Sequence, residues 1–218
     1  MSKLMNCDAD CPSEVYLFSN RLSIATQRAR KETGHIASGA FVKLGDPDIL
    51  AKYDAGTLKY LPFVRAAADK IGFSPYFLAP VNDYRIEHDC ELVRAHRYPL
   101  YPSLFSAIFA FGDFDTCLEV HNKYRRSWPM ESVKKCRLIP NPRNRVVRVN
   151  LEYHSIARQI YKLPGVPVAE IARFWDEYWS GNRRISFDFF TNPAHPKHHF
   201  EAGCFWNYII EGDLEVVG

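Results

Sequence analysis

The chain has no apolar run approaching the ~20 residues that cross a bilayer. The stretch Met1-Ser2-Lys3-Leu4-Met5-Asn6-Cys7-Asp8 lacks the apolar centre of a secretory signal, so a cytoplasmic location is the expectation. Three glycine-dependent signatures are missing as well: the phosphate-cradling loop, the Gly-x-Gly-x-x-Gly dinucleotide fingerprint and the Gly-x-Ser-x-Gly elbow. Their absence speaks against nucleotide triphosphatase, Rossmann and serine-hydrolase chemistry. Neither an internal repeat nor a low-complexity segment occurs. Excess charge is small, +3 at pH 7, and does not by itself imply nucleic acid. The six cysteines, Cys7, Cys11, Cys90, Cys117, Cys136 and Cys204, are scattered through a chain too long to need a disulfide framework, and reduced thiols are expected. Cys7-x-x-x-Cys11 has a metal-like spacing, but no second close pair completes four ligands.

What is present is enough apolar material for a sizeable core, 47% of 218 residues, and one domain spanning 1–218 is expected. Val15 to Phe18 reads as a strand, followed by a helix from Asn20 to Ala29 that Gly34 ends. Ala40 to Leu44 is strand-like, Pro47 opens a helix, and Leu58 to Ile71 carries helical spacing. Asp83 to Arg97 suits helix better than strand. Ser106 to Phe111 reads as a buried strand, and Asp113 caps a helix whose Phe114, Leu118 and Tyr124 share an apolar face. Lys135 to Ile139 and Val146 to Val149 suggest a hairpin across Pro140 and Pro142. Helices are expected over Glu152 to Lys162 and Val168 to Trp179, with a half-buried strand from Arg184 to Phe190. Phe205 to Ile210 and Leu214 to Val217 complete the strands, joined by a turn at Gly212-Asp213. The expected class is α+β with a predominantly antiparallel or mixed sheet.

Two stretches carry a resemblance. Tyr178-Trp179-Ser180-Gly181 precedes Trp206-Asn207-Tyr208-Ile209-Ile210-Glu211-Gly212, and Tyr101-Pro102-Ser103-Leu104-Phe105-Ser106-Ala107-Ile108-Phe109-Ala110 lies upstream. Together they resemble a bacterial ADP-ribosyltransferase-like family in which a Tyr-Trp-x-Gly helix end precedes a Trp-Glu-Tyr strand, with a Pro-Ser-Arg-x-Ser strand before it. The likeness covers 101–218 and leaves 1–100 as a variable N-terminal portion. It implies an ADP-ribosyltransferase-like split sheet with flanking helices and NAD as substrate. It also implies a macromolecular acceptor, protein or nucleic acid, and toxin or phage-defence roles among relatives. Leu104 stands where the family has arginine, and Asn207 where it has the glutamate that helps break the glycosidic bond of NAD.

That glutamate acts by hydrogen-bonding the ribose and favouring its oxocarbenium-like transition state. An asparagine keeps the hydrogen bond and loses the charge, which costs on the order of 3 kcal/mol. Asn207 therefore marks a binding-competent pseudoenzyme, or is compensated by Glu201, Glu211 or Glu215, or reflects a different register, or is simply a polar residue on a sheet face. Alternation puts Asn207, Ile209 and Glu211 on one face. The candidate catalytic set is Asn207, Glu211 and Ser106. By the resemblance, the cofactor-binding candidates are Ser103, Ser106 and Phe109, with Arg97 in place of the missing arginine. No metal is favoured. His195, His198 and His199 form a metal-like group, but their proline-containing loop suits target contact better. The alternative function is a noncatalytic nucleic-acid- or protein-binding protein. It would use the basic, aromatic stretch from His121 to Trp128 and the arginines from Arg143 to Arg148.

Overall fold

The computed structural model describes residues 3–22, 24–39, 41, 47–57, 82–163, 166–189 and 197–217. The protein is α+β. Strand β1 (Glu14–Phe18) shows why the sheet has two covered faces. Its Val15 and Leu17 point one way and its Tyr16 and Phe18 the other, and both sets are apolar. Such a strand belongs in the interior of a sheet. Its antiparallel partners are β3 (Ile108–Phe111) and β4 (Val133–Leu138). Strand β8 (Trp206–Glu211) lies between β3 and the edge strand β5 (Arg145–Asn150), while β9 (Asp213–Val216) lies between β4 and the two-residue β2 (Ile36–Ala37). The order is β2-β9-β4-β1-β3-β8-β5.

This order forces a curl. Strands β8 and β9 are separated in the chain by Gly212 alone, yet β3, β1 and β4 lie between them in the ladder. The two arms of the sheet must therefore bend round until they meet at Gly212. A Cβ there would stand 2.8 Å from Leu138 Cδ1 and 3.1 Å from Asn144 Oδ1, which is why the bend is a glycine. Its N–H donates to Ser38 Oγ at 3.0 Å. Gly212-Asp213 is thus not a turn joining paired strands, as the sequence suggests. The expected β4–β5 hairpin is also absent: β4 pairs with β1 and β9, and β5 with β8. The linker between them, closed by Asn144 Nδ2 donating to Ile139 O at 2.8 Å, carries the chain from one arm to the other.

Inside the curl, Val15, Leu17, Ile108, Ala110, Cys136, Val146, Ile210 and Leu214 form one core. Outside, Val147, Val149 and Ile209 pack under three helices: α3 (Asn82–Arg97), α5 (Glu152–Ile160) and α6 (Val168–Trp179). Trp175, Tyr178 and Trp179 of α6 are buried there, and Trp179 Nε1–H donates to Cys90 O at 3.0 Å. Gly181, at φ +79°, ends this helix. A second two-stranded sheet, β6 (Ile185–Phe189) with β7 (His198–Ala202), adds Ile185, Phe187 and Phe189 to the same core.

Farther along the outer face, Phe18 and Phe111 meet α4 (Phe114–Tyr124) through Cys117 and Val120. Asp113 caps α4 as expected, accepting from Thr116 N–H at 2.6 Å. The buried face is Cys117, Val120 and, in part, Tyr124, whereas Phe114 and Leu118 are 48% and 42% exposed. The cap fixes the helical phase, and periodicity alone misplaced that face by one residue. The first helix, α1 (Ile24–Thr33), starts four residues later than expected, after a 3-10 turn at Ser19–Arg21. Helix α2 (Pro47–Asp54) opens on Pro47 as expected. The strand expected over Ala40 to Leu44 falls outside the described residues except Phe41, which lies in a turn, and the helix expected over Leu58 to Ile71 falls wholly outside them. Among the described residues no helix is long and apolar enough to cross a membrane.

Candidate functional site

Strand β8 presents Asn207, Ile209 and Glu211 on its outer face, and its two ends make very different sites. At the C-terminal end, Glu211 is 1% exposed. Its carboxylate accepts from Ser106 Oγ–H at 2.7 Å, from Ser103 N–H at 3.2 Å and from the Tyr53 hydroxyl of α2. Arg145 Nη1 stands 3.9 Å from its other oxygen. Burial pushes the Glu211 carboxyl up from its ordinary value, against the opposing pull of these donors and of Arg145. The Tyr53 hydroxyl is pushed up too, by burial and by the Glu211 charge.

Ser103 links this carboxylate to a second one. Its Oγ–H donates to Glu91 at 2.6 Å, and the same carboxylate accepts from Leu104 N–H at 3.0 Å and from Arg94 Nε–H at 2.7 Å. Glu91 and Arg94 are 0% and 1% exposed. Arg94 also donates to Pro99 O and Tyr101 O at 3.2 and 3.0 Å. The result is a buried polar network that fastens α2 and α3 to the 99–107 segment and to the end of β8. The donors that bond the two carboxylates come from four separate elements, so the arrangement holds those elements together, while Arg145 Nη1 beside Glu211 makes no hydrogen bond among the described residues.

At the other end, Asn207 lies opposite Phe111 of β3 and Val149 of β5 and is 1% exposed. Among the described residues its amide Nδ2 has no hydrogen-bond partner. Four residues of strand, about 13 Å, separate it from Glu211. The candidate residues are therefore not brought together: Ser103 and Ser106 sit with Glu211 in the network, and Asn207 lies at the other end of the strand. Glu211 does not replace the missing charge at Asn207 for the same reason. Glu215 is no substitute either, being on the opposite arm in an ion pair with Arg137 at 3.1 Å, and Glu201 is exposed on β7.

Two hollows flank the outer face, both lined in part by Arg21 and neither by Asn207. Phe18 and Phe109 line the smaller, of about 10 Å3, with Thr26 on its wall. The larger, of about 50 Å3, is lined by Trp128, which packs edge-on to Phe111, together with residues of α4 and α5. Phe109 is partly buried at the edge of the helix-covered core and pairs with Ile209. Arg97 lies at the end of α3, against α6, where it pairs with Asp176 at 2.6 Å.

The arginines expected to form a basic surface at Arg143 to Arg148 are half-buried, and two of them are tied to Asp54. Arg143 Nε donates to Asp54 at 2.8 Å, and Arg145, 12% exposed, donates to Asp54 O at 2.5 Å. Arg148 lies 4.2 Å from the Trp206 ring centroid. Arg125 and Arg126 are exposed in a 3-10 turn after α4. His198 and His199 are on β7, not in a loop, and His199 Nδ1 is 2.8 Å from Asp188. His195 lies outside the described residues, among which no three His, Cys, Asp or Glu side chains converge on a metal position.

The sequence reading missed Tyr53, Glu91 and Arg94 as partners of the serines, and Arg21 and Trp128 as walls of the hollows. The only local signal was the i,i+3 pair Glu91 and Arg94 beside the buried Cys90. No family model and no curated protein matches the chain.

Proposed function

We propose that the protein is an ADP-ribosyltransferase-like protein that binds NAD on the outer face of its sheet, beside Asn207, without itself transferring ADP-ribose. The observation that carries this reading is Asn207: a buried amide, its nitrogen without a partner among the described residues, at the position where the resembled family holds its catalytic glutamate. An unpaired N–H group in a buried setting is costly unless an acceptor arrives, and a ribose hydroxyl supplies one. The carboxylate at this end of β8, Glu152, is taken up by Lys123 Nζ and the Tyr124 hydroxyl, each at 2.7 Å, and leaves charge growing on the ribose without a negative partner of its own.

Calorimetric titration with NAD and measurement of nicotinamide release test both halves. Wild type is expected to bind NAD and release no nicotinamide, Asn207→Ala to bind about tenfold more weakly, and Asn207→Glu to gain turnover. A folded wild-type protein that takes up no NAD at millimolar concentration overturns the reading. Binding of nucleic acid or a protein partner through Arg125 and Arg126 is the alternative. It is favoured by the exposure of this pair beside Trp128, and it predicts salt-dependent RNA or DNA binding that survives Asn207→Ala.

A further inference from the structure

The strand edges of this protein are not treated alike. Edge strand β5 of the large sheet is covered by the N-terminal segment: Met5 N–H donates to Val146 O at 2.9 Å, and the Asn6 amide bonds Arg148 O at 2.7 Å and Arg148 N–H at 3.1 Å. The opposite edge strand, β2, is only two residues long. The small sheet consists of β6 and β7 alone. Among the described residues, β7 makes no main-chain hydrogen bond beyond its ladder with β6, and its His199 and Glu201 are exposed. An edge strand left open in this way offers unpaired N–H and C=O groups to an extended chain.

The side chains along β7 decide which chain fits. His198, Phe200 and Ala202 lie on one face, His199 and Glu201 on the other. On the first face Phe200 is opposite Phe187 and edge-on to Phe189, so an apolar row runs from the buried core to the open edge and ends there half-buried. On the second, Asp188 lies opposite His199 and meets its Nδ1 at 2.8 Å. Glu201 has no hydrogen-bond or ion-pair partner among the described residues. Charged residues on an edge strand ordinarily turn a neighbour away. Here a base and an acid flank Phe200 symmetrically, an order that admits one neighbour, an antiparallel copy of the same strand.

We propose that β7 is a dimerisation edge, pairing antiparallel with β7 of a second copy about a two-fold axis at Phe200. Phe200 then faces Phe200 of the second copy, and the apolar row continues from one molecule into the other. On the opposite face His199 meets Glu201 of the second copy, and Glu201 meets its His199, as two-fold symmetry requires. An imidazole held between two carboxylates takes up a proton, so Nδ1–H serves Asp188 and Nε2–H serves the new glutamate. One strand of five residues is a small contact. It falls short of the ~1,200 Å2 of a standard interface, and the expected dissociation constant is on the order of 100 µM. None of these residues enters the NAD reading.

The test is sedimentation equilibrium of the full chain from about 5 µM to about 1 mM, with hydrogen exchange of the β7 amides followed over the same range. Wild type is expected to pass from monomer to dimer, and the β7 amides to exchange more slowly as it does. Glu201→Lys and His199→Glu each set like charges opposite one another and are expected to weaken association roughly tenfold or more. Both positions are exposed, so the variants are expected to fold, and circular dichroism checks this. Mixed in equal amounts, the two variants meet with opposite charges at both positions and are expected to recover wild-type association. Wild type that stays monomeric to about 1 mM overturns the proposal. So do β7 amides protected equally at every concentration, which mean that the chain covers this edge itself. A dimer that Glu201→Lys and His199→Glu leave intact, or one that their mixture does not restore, also overturns it, since the copies then meet elsewhere.

Discussion

The two ends of β8 are made from one strand, face the same side and are equally buried, yet they treat their polar residues in opposite ways. Glu211 is surrounded by Tyr53, Ser103 and Ser106, each donating to it, and the one nitrogen beside it that makes no hydrogen bond among the described residues, Arg145 Nη1, stands 3.9 Å away as a charge partner. Asn207 sits between Phe111 and Val149 with an amide nitrogen that nothing in the described structure satisfies. A fold keeps a buried charge only by enclosing it in donors, and that enclosure removes it from use. A fold that keeps a buried donor unsatisfied is carrying a cost that a ligand can relieve. Burial and a catalytic-looking residue type are shared by both ends, so neither distinguishes a structural network from a binding position. The state of the hydrogen-bonding partners does.

The sharpest way to break this contrast is to open the saturated end. Glu91→Ala strands the buried Arg94 guanidinium, whose Nε loses its 2.7 Å acceptor. Removal of one member of a buried pair costs about 3–5 kcal/mol. Because the network joins α2, α3 and β8, the loss is expected in global unfolding rather than local fraying. Urea denaturation read by Trp fluorescence measures it. A change below about 1 kcal/mol, the scale of an exposed ion pair, places Arg94 in solvent and denies the network its structural role.

A matched pair of milder substitutions tests the sign of the difference. Ser106→Ala removes a donor to Glu211 and is expected to destabilise by about 1–3 kcal/mol. Asn207→Leu replaces the orphan amide by an apolar group of similar shape between Phe111 and Val149. It is expected to leave stability unchanged or raise it by up to about 1 kcal/mol. Opposite responses from two buried polar residues on one face of the sheet uphold the contrast. A loss of 2 kcal/mol or more at Asn207 shows that its amide is satisfied after all and ends its candidacy as a ligand contact.

Much of this is legible in the sequence, and most of what is not depends on residues distant in the chain. Helix α6 matches its expected bounds because Ile171, Phe174, Trp175 and Tyr178 repeat at helical spacing between Pro167 and Gly181. Alternation likewise put Asn207, Ile209 and Glu211 on one face. Pairing was misread wherever it depends on distant residues. Strands β4 and β5 are neighbours in the chain and lie in different arms, and Gly212 looks like a hairpin turn when it is the bend that closes the curl. The site failed in the same way. Ser103, Ser106 and Glu211 were singled out, but their partners come from Tyr53 and Glu91, brought in by tertiary packing that no local pattern encodes. Without those partners, a carboxylate enclosed by donors could not be told from one waiting for a substrate.

The smallest expected effect concerns protons and separates the buried carboxylates from the exposed ones. Glu211 is raised above its ordinary 4.5 by burial. From pH 4.5 upward, until its folded-state value is passed, the native protein holds a proton that the unfolded chain has released. Stability contributed by this group is therefore full below pH 4.5 and falls as pH rises through that window. The exposed Glu14 and Asp188 behave oppositely. Hydrogen bonds from Lys135 to Glu14, and from Lys197 and His199 to Asp188, hold both below their ordinary values, so what they contribute is lost only in more acidic solution. The windows do not overlap. Denaturation midpoints at pH 5, 6 and 7 are accordingly expected to decline more steeply in wild type than in Glu211→Gln, where the titrating proton is gone and the histidine background is shared. Equal slopes in the two proteins mean that Tyr53, Ser106 and Ser103 hold Glu211 ionised at its ordinary value. The saturated end of β8 would then be an anion cage, built with donors enough to cancel the whole effect of burial.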